Sequence, residues 1–142
     1  MVGNSFKDDA LTRDFTMNTV YFEVLTGLFI DPINAIPDIE SKVIRPVNED
    51  CATVFNDKVR VLRALRLSCC LNFELSTNAT AYIRNIDQKV LYQNLYVGKL
   101  EYSKACKGDY LLGFFGKLIE FQLIWHYPFN ILFENFNHSS YM

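Results

Sequence analysis

The sequence predicts an α+β fold in which a small β-hairpin precedes a mostly α-helical region. Two observations predict this order. The segment TVYFEV alternates and is rich in β-branched and aromatic residues, which is typical of a strand, whereas a helical period begins near Phe55. The chain has 142 residues, of which 50% are apolar, so it is about one domain long and has enough apolar side chains to bury a core.

The β-structure is expected before residue 48. TVYFEV is followed by the turn LTG and by a second apolar run, LFID, and this order is typical of a hairpin. The next segment, DPINAIPDIESK, contains two prolines and predicts a loop that leads into a short helical turn. KVIRPV then predicts one more short strand.

The most clearly periodic segment is FNDKVRVLRALRLSCCLNFEL, which predicts a helix. Its apolar residues recur at the spacing of one helix face. We expect Asn56 or Asp57 to cap the start of this helix, because short polar side chains accept hydrogen bonds from the first backbone amides. We expect Asn72 to end it.

The rest of the chain, nearly half of its residues, predicts further helices with weaker signals. The segment from Ala79 onwards reads as helical pieces that are broken near Gly98 and Gly108. Residues 110–125 form the most apolar stretch, but they are too few and too charged to span a bilayer of about 30 Å. A buried or interfacial helix is therefore expected there, and no membrane span.

The bulk composition predicts a reduced, intracellular chain without a metal site. The net charge is −2, so any binding of nucleic acid has to rest on a local basic patch. The four cysteines and two histidines show neither C-x-x-C spacing nor ligand-like offsets. The start, MVGNSFKDD, resembles neither a secretory signal nor a transit peptide, so the sequence leaves the compartment open.

Two constellations of charged residues are candidates for a binding site. The first is Arg13 followed by Asp14, because a guanidinium can donate to phosphates while a carboxylate accepts from ribose hydroxyls. The alternative is a surface ion pair, worth at most about 1 kcal/mol.

The second constellation lies on the periodic segment. Asp57 and Arg60 are three residues apart on one helix side, and Arg63 and Arg66 continue a basic face. An acceptor beside a donor can pair with the edge of cytosine or adenine, both of which offer an amino group next to a ring acceptor. The alternative is an ion pair on a solvated helix face, worth about 0.2 to 0.5 kcal/mol.

The order of these segments resembles the class II tRNA nucleotidyltransferase (CCA-adding enzyme) and bacterial-type poly(A) polymerase family, over about residues 8–75. In that family an Arg-Arg-Asp-Phe-Thr segment helps to bind the ribose and phosphates, and here it is Thr-Arg-Asp-Phe-Thr, with Arg13 and Asp14. The family's neck helix begins Glu-Asp-x-x-Arg and reads the incoming ATP or CTP. Asp57 and Arg60 match its template pair, which the resemblance therefore implies as nucleotide-binding residues.

The resemblance also implies the domain organisation. The family joins its head and neck domains through an Asp-Pro-x-Gly-Gly-x-x-Asp-Leu segment, to which Asp31 and Asp38 correspond. Asn34 and Ala35 replace the two glycines, so we expect a stiffer joint. Residues 1–47 would then be the C-terminal remnant of a head domain, and residues 48–142 a helical neck with part of the body that binds RNA and nucleotide.

The catalytic machinery of the family is expected to be absent from these residues. Members hold Mg²⁺ on an Asp-x-Asp strand of the head, upstream of the matched stretch, and add C and A, or A alone, to an RNA 3′ end from ATP and CTP. Asp8 and Asp9 are adjacent and do not substitute for that pair. We therefore expect a truncated member with no catalytic residue, no metal and no cofactor of its own, which adds no nucleotide in isolation. Lys99 with Glu101 only loosely matches a basic residue and glutamate of the family's body.

Two other classes of function stay open on the sequence alone. One is a non-catalytic module that binds RNA or a protein through the face of Arg60, Arg63 and Arg66. The other is a helical interaction protein whose apolar C-terminal half is covered by a partner protein. The expected partners under the family reading are RNA, such as the 3′ end of a tRNA, and a nucleoside triphosphate, with the choice between CCA addition and poly(A) synthesis left open.

Overall fold

A computed structural model describes residues 2–86 and 95–123, with side chains for residues 6–86 and 99–123. Within these residues the chain has the mixed fold that the sequence predicts, with helices, a few short strands and two small sheets. It divides into two compact units. The first unit comprises residues 1–56 and 73–82, and the second comprises residues 57–72 and 83–142.

The described elements follow one another in a simple order. The helices are α1 (Val2–Thr12), α2 (Ile36–Glu40), α3 (Cys51–Phe55), α4 (Val59–Leu71), α5 (Thr77–Asn85), α6 (Leu95–Lys107) and α7 (Leu111–Glu120). The strands are β1 (Tyr21–Glu23), β2 (Leu28–Ile30), β3 (Val43–Ile44) and β4 (Glu74–Leu75), and a 3₁₀ turn covers Thr16–Asn18.

The first unit contains the predicted hairpin. β1 and β2 pair antiparallel, with Phe22 opposite Phe29, and Gly27 adopts the left-handed φ of 70° that the connecting turn requires. The predicted helical turn is α2, and the predicted strand at KVIRPV is β3. The core of the unit is aromatic, since Phe15 and Phe55 are fully buried with their rings 6.2 Å apart.

The first unit also contains elements that were not predicted, among them α1, α3 and β4. α1 precedes Arg13, and β4 pairs in parallel with β3 through the register of Ile44 and Leu75. β4 is thus a short exception in the mostly helical region expected after residue 47. Two residues are too few to show a period of two, and the pairing depends on a strand that is thirty residues earlier in the chain.

The second unit is a layer of three packed helices, α4, α6 and α7. α4 presents the predicted stripe, in which Val61, Leu62 and Leu65 are buried. It ends where predicted, because Asn72 takes the left-handed conformation (φ 54°, ψ 41°) that terminates helices. It begins later than the periodic segment, at Val59, since Phe55 belongs to the separate helix α3.

The C-terminal helices differ from the prediction at one glycine. α6 ends at Lys107, so the break expected near Gly108 is confirmed. The break expected near Gly98 is wrong, because α6 runs through that residue. A helical glycine costs about 1 kcal/mol relative to alanine, and packing of α6 on α4 and α7 offsets this. The apolar helix expected at residues 110–125 corresponds to α7, which ends earlier than expected, at Glu120, and residues 124 and 125 lie outside the described part.

Among the described helices, each is too short or too polar to cross a membrane.

The hairpin exposes an apolar surface. Val24 and Leu25 are 83% and 95% exposed, and Phe22, Leu28 and Phe29 are each more than half exposed. A two-stranded hairpin is marginally stable in water unless a further layer covers it. We therefore expect the amides of β1 and β2 to exchange with deuterium faster than those of α4. Hydrogen exchange measured by NMR tests this, and equal protection in the two elements would contradict it.

Candidate functional site

Arg13 emerges from the end of α1 and pairs with Asp9, one helical turn earlier. Its Nε and Nη2 atoms both donate to Asp9 Oδ2 at 3.1 Å, and Nε also lies 3.2 Å from the Tyr21 hydroxyl oxygen. The Tyr21 hydroxyl donates to the same carboxylate oxygen. The hydroxyl, and then the guanidinium, lower the pKa of the Asp9 carboxyl below its usual value. Arg13 is thus a charged, 44% exposed side chain held in place at the surface.

Asp14 makes contacts different from those of its neighbour Arg13. The residue is buried, and its Oδ1 atom accepts from the backbone amide of Phe15 at 2.7 Å and from Asn18 Nδ2 at 3.0 Å. Its carbonyl oxygen accepts from the amide of Val47 at 3.0 Å. Asp14 therefore stabilises the 3₁₀ turn and the chain that returns beside it, whatever else it binds.

The two aspartates of the predicted joint both hold backbone in place. Asp31 accepts from the amides of Ala35 and Ile36, at 2.7 and 2.9 Å, and so caps the start of α2. Asp38 accepts from Thr16 Oγ1 at 2.8 Å and pairs with Arg45 Nε at 3.0 Å. These contacts tie α2 to the 3₁₀ turn and to the residue after β3.

Asn34, which stands where the family has a glycine, adopts a glycine-like conformation. Its φ is +57°, in the left-handed region that glycine favours and that asparagine tolerates better than most residues. The next residue, Ala35, has an ordinary helical φ of −88° and is fully buried. The backbone geometry thus needs a permissive residue at the first position only, and the expected stiffness of the joint stays a prediction.

Asp57 lies just before α4, and Arg60 lies in its first turn. Asp57 is exposed, and its Oδ1 atom accepts from the amide of Val59 at 3.2 Å. The N-cap residue is Lys58 rather than Asn56 or Asp57, and its side chain makes no capping hydrogen bond, so the predicted cap is wrong by one residue. The amide of Arg60 donates to the carbonyl oxygen of Asp57 at 3.0 Å, and the residue is partly exposed. A carboxylate and a guanidinium thus lie three residues apart at one helix end.

The next two arginines of α4 share a partner that the sequence does not reveal. Glu101, on α6, is 1% exposed, and its Oε2 atom lies 2.5 Å from Arg66 Nε. Its Oε1 atom lies 3.5 Å from Arg63 Nε and 3.7 Å from Lys104 Nζ. The side chain of Arg66 is only 14% exposed and pairs with a buried carboxylate, so Arg66 does not lie on a solvated helix face.

Sequence reasoning did not identify Asp9, Tyr21 or Glu101 as partners of the candidate residues. Asp9 and Arg13 are four residues apart, the spacing at which two side chains of a helix can form an ion pair. This pair could have been predicted if the sequence had indicated the helix α1. Arg66 and Glu101 are 35 residues apart, so periodicity contains no signal for their pairing.

The acidic residues do not fit a magnesium site of the family's kind. Within the described residues, no three His, Cys, Asp or Glu side chains cluster where they could hold a metal ion. Asp8 and Asp9 are adjacent on a helix, and Asp9 is already bound to Arg13 and Tyr21. We therefore derive no catalytic step through a metal from these residues.

Comparison with known proteins supports the resemblance seen in the motifs. Residues 1–45 match the model of the Poly A polymerase head domain. The chain is 33% identical over 108 residues to the CCA-adding enzyme of Bacillus pumilus, which covers 75% of this chain and 26% of that enzyme. It is 35% identical over 72 residues to poly(A) polymerase I of Salmonella typhi, covering 51% of this chain and 16% of that protein.

Solved structures show the same relationship. The chain superposes on an apo form of a tRNA-processing enzyme with a TM-score of 0.73 and 27% identity, covering 84% of this chain and 33% of the other. A tRNA nucleotidyltransferase complexed with a primer tRNA and an incoming ATP analog gives a TM-score of 0.65, with 26% identity, and covers 84% of this chain and 36% of the other. The chain thus spans about a third or less of these relatives. It is related to the family of CCA-adding tRNA nucleotidyltransferases and poly(A) polymerases, as its motifs predicted.

Proposed function

We propose that this chain contributes nucleotide recognition to the addition of C and A, or of A alone, to an RNA 3′ end. The observation that carries the proposal is the placement of an exposed carboxylate, Asp57, three residues before Arg60 at the start of α4, in a chain related to enzymes of that activity. RNA and a nucleoside triphosphate are the partners in this proposal, as in the relative that was solved with a primer tRNA and an ATP analog.

The chemistry of the pair suits two of the four bases. Asp57 accepts from an exocyclic amino group, and Arg60 donates to the adjacent ring acceptor. Cytosine and adenine present this pattern, whereas uracil and guanine present a carbonyl oxygen at the corresponding position. Charged hydrogen bonds contribute roughly 1.5 to 3 kcal/mol each, so two of them, less the cost of association, correspond to affinity in about the millimolar range.

The other parts of the proposal follow the family's order. Arg13 would contact phosphates, for which its exposed guanidinium is suited, and Asp14 would accept from a ribose hydroxyl. Residues 1–47 would correspond to the end of a head domain, with Asp31 and Asp38 at its joint, and residues 48–142 to a neck and partial body. ATP or CTP would act with Mg²⁺ held on a carboxylate pair, and no such cluster occurs within residues 2–86 and 95–123.

A titration of the chain with ATP, CTP, GTP and UTP, followed by NMR, tests the proposal. We expect ATP and CTP to shift the amides at the start of α4 at lower concentration than GTP and UTP do. Arg60→Ala should remove this preference because it removes the donor. Arg60→Lys is the matched control, because it keeps the positive charge but loses the planar guanidinium. If the guanidinium geometry reads the base, this variant should also lose most of the preference for ATP and CTP. Equal shifts for all four nucleotides in the native chain would refute nucleotide selection.

A further inference from the structure

The side chain of Tyr21 links the hairpin to the end of α1 at Arg13. Its hydroxyl donates to Asp9 Oδ2 and accepts from Arg13 Nε at 3.2 Å. The guanidinium carbon of Arg13 lies 5.3 Å from the centre of the Tyr21 ring, which is within the range of a cation–π contact. The ring also packs on Phe6 of α1, with 5.0 Å between the ring centres. Tyr21 thus contacts both members of the ion pair of Arg13 and Asp9.

Asp9 alone would hold Arg13 loosely. The two side chains are 44% and 51% exposed, and an exposed ion pair gains little energy against the entropy of the two side chains that it orders. The Tyr21 hydroxyl adds a second acceptor for Nε, and the ring adds a surface against which the guanidinium lies. Tyr21 therefore determines where the guanidinium of Arg13 points.

The contacts of Arg13 occupy one edge of its guanidinium. Nε and one hydrogen of Nη2 donate to Asp9 and Tyr21. Among the described residues, the second hydrogen of Nη2 and both hydrogens of Nη1 have no acceptor. A guanidinium has five N–H groups in one plane, so the next edge presents two parallel donors. Two parallel N–H groups match two oxygens of a phosphate.

We propose that Tyr21 is a positioning residue that holds this second edge of Arg13 ready for the phosphates of a nucleoside triphosphate. The inference rests on the proposed function in taking Arg13 as the phosphate contact. It adds Tyr21, a residue of the hairpin that would not itself touch the nucleotide. Ordering a long side chain on binding costs affinity, and the contacts with Tyr21 order Arg13 before the nucleotide arrives.

Inorganic triphosphate is the probe, because it has the phosphates but no base, and NMR titration of the full chain measures its affinity. Arg13→Ala should weaken the binding about tenfold, because it removes charged donors. Tyr21→Phe keeps the ring and removes only the hydroxyl, and should weaken the binding about threefold. Tyr82→Phe is the matched control, since the Tyr82 ring stacks on Phe55 and its hydroxyl has no hydrogen bond among the described residues. This control should leave the affinity unchanged.

The double variant shows whether Tyr21 acts through Arg13. If it does, Tyr21→Phe should have no further effect on triphosphate affinity in the Arg13→Ala chain. The Nε–H resonance of Arg13 is a second readout, and Tyr21→Phe should shift it before any ligand is added, because a hydrogen bond to Nε is lost. Losses that add in the double variant would overturn the positioning role. So would an unchanged affinity in either single variant.

A short single-stranded RNA without terminal phosphates identifies the source of the phosphate, because it contains phosphodiesters only. Tyr21→Phe should leave its affinity unchanged, and a loss equal to that for triphosphate would overturn the assignment to a nucleoside triphosphate. The result is distinguishable from that of the nucleotide titration. Loss of the preference for ATP and CTP with a retained Tyr21 effect would refute nucleotide selection alone. A retained preference without any Tyr21 effect on triphosphate affinity would overturn only this inference.

Discussion

Arg66→Ala is expected to lower the free energy of unfolding by about 3 kcal/mol, because it removes the closest partner of a buried carboxylate. Glu101 would keep Arg63 and Lys104, but at 3.5 and 3.7 Å these are more distant than Arg66 at 2.5 Å. A buried charge that loses its main partner retains the full penalty of desolvation. Urea unfolding followed by circular dichroism measures the difference.

Arg84→Ala is the matched control for the loss of an arginine. Arg84 pairs with Glu120 at 3.7 Å, with 58% and 46% of the two side chains exposed, so its loss should cost at most about 1 kcal/mol. Replacing Glu101 by leucine in the Arg66→Ala background should restore part of the stability, because the buried charge is then gone. Similar losses for Arg66→Ala and Arg84→Ala would contradict the burial of this ion pair.

Replacement of two α7 glycines by alanine is expected to change the stability of the chain in opposite directions. A Cβ atom at Gly113 would lie 2.4 Å from Cys69 Sγ, whereas a Cβ at Gly116 would have no atom within 4 Å. Gly116→Ala should therefore stabilise the chain by about 0.5 to 1 kcal/mol through helix propensity alone. Gly113→Ala should destabilise it by about 1 kcal/mol, since overpacking outweighs the same gain.

Thermal unfolding of the two alanine variants beside the native chain measures this difference. Cys69 also lies 3.3 Å from the carbonyl oxygen of Tyr110, so a shift of its sulfur would disturb the start of α7 as well. A Gly113→Ala chain that is as stable as the Gly116→Ala chain would contradict the packing of α4 on α7.

Local patterns predicted much of the fold. The alternation of TVYFEV and LFID predicted the hairpin, and the stripe of Val61, Leu62 and Leu65 predicted α4. These signals are local, because a period is visible within ten residues or so. β4 and the passage of α6 through Gly98 were not predictable in this way, since both depend on packing against distant elements.

In the candidate site, too, the sequence predicted local features but not contacts between distant residues. Residue types and spacing led to Arg13, Asp14, Asp57 and Arg60, but not to what each side chain contacts. The carboxylate that pairs with Arg13 is Asp9 rather than the adjacent Asp14, and the partner of Arg66 is on another helix. Ion-pair partners across a fold are set by tertiary structure, so a sequence pattern can propose charged groups without assigning their pairs.

Replacing the acceptor at Asp57 by a donor tests most directly whether Asp57 and Arg60 recognise the base of the nucleotide. Asp57→Asn keeps a carbonyl oxygen to accept from the amide of Val59 but adds an amide N–H₂ donor, which pairs with the O4 acceptor of uracil rather than with the amino group of cytosine. The measurement is the ratio of the dissociation constants for UTP and CTP, obtained by NMR titration of the native chain and the variant. We predict that the native chain prefers CTP by about tenfold, equivalent to about 1.4 kcal/mol, and that Asp57→Asn reduces the ratio to about one or reverses it. A ratio that is unchanged by this substitution would contradict base recognition by Asp57 and Arg60.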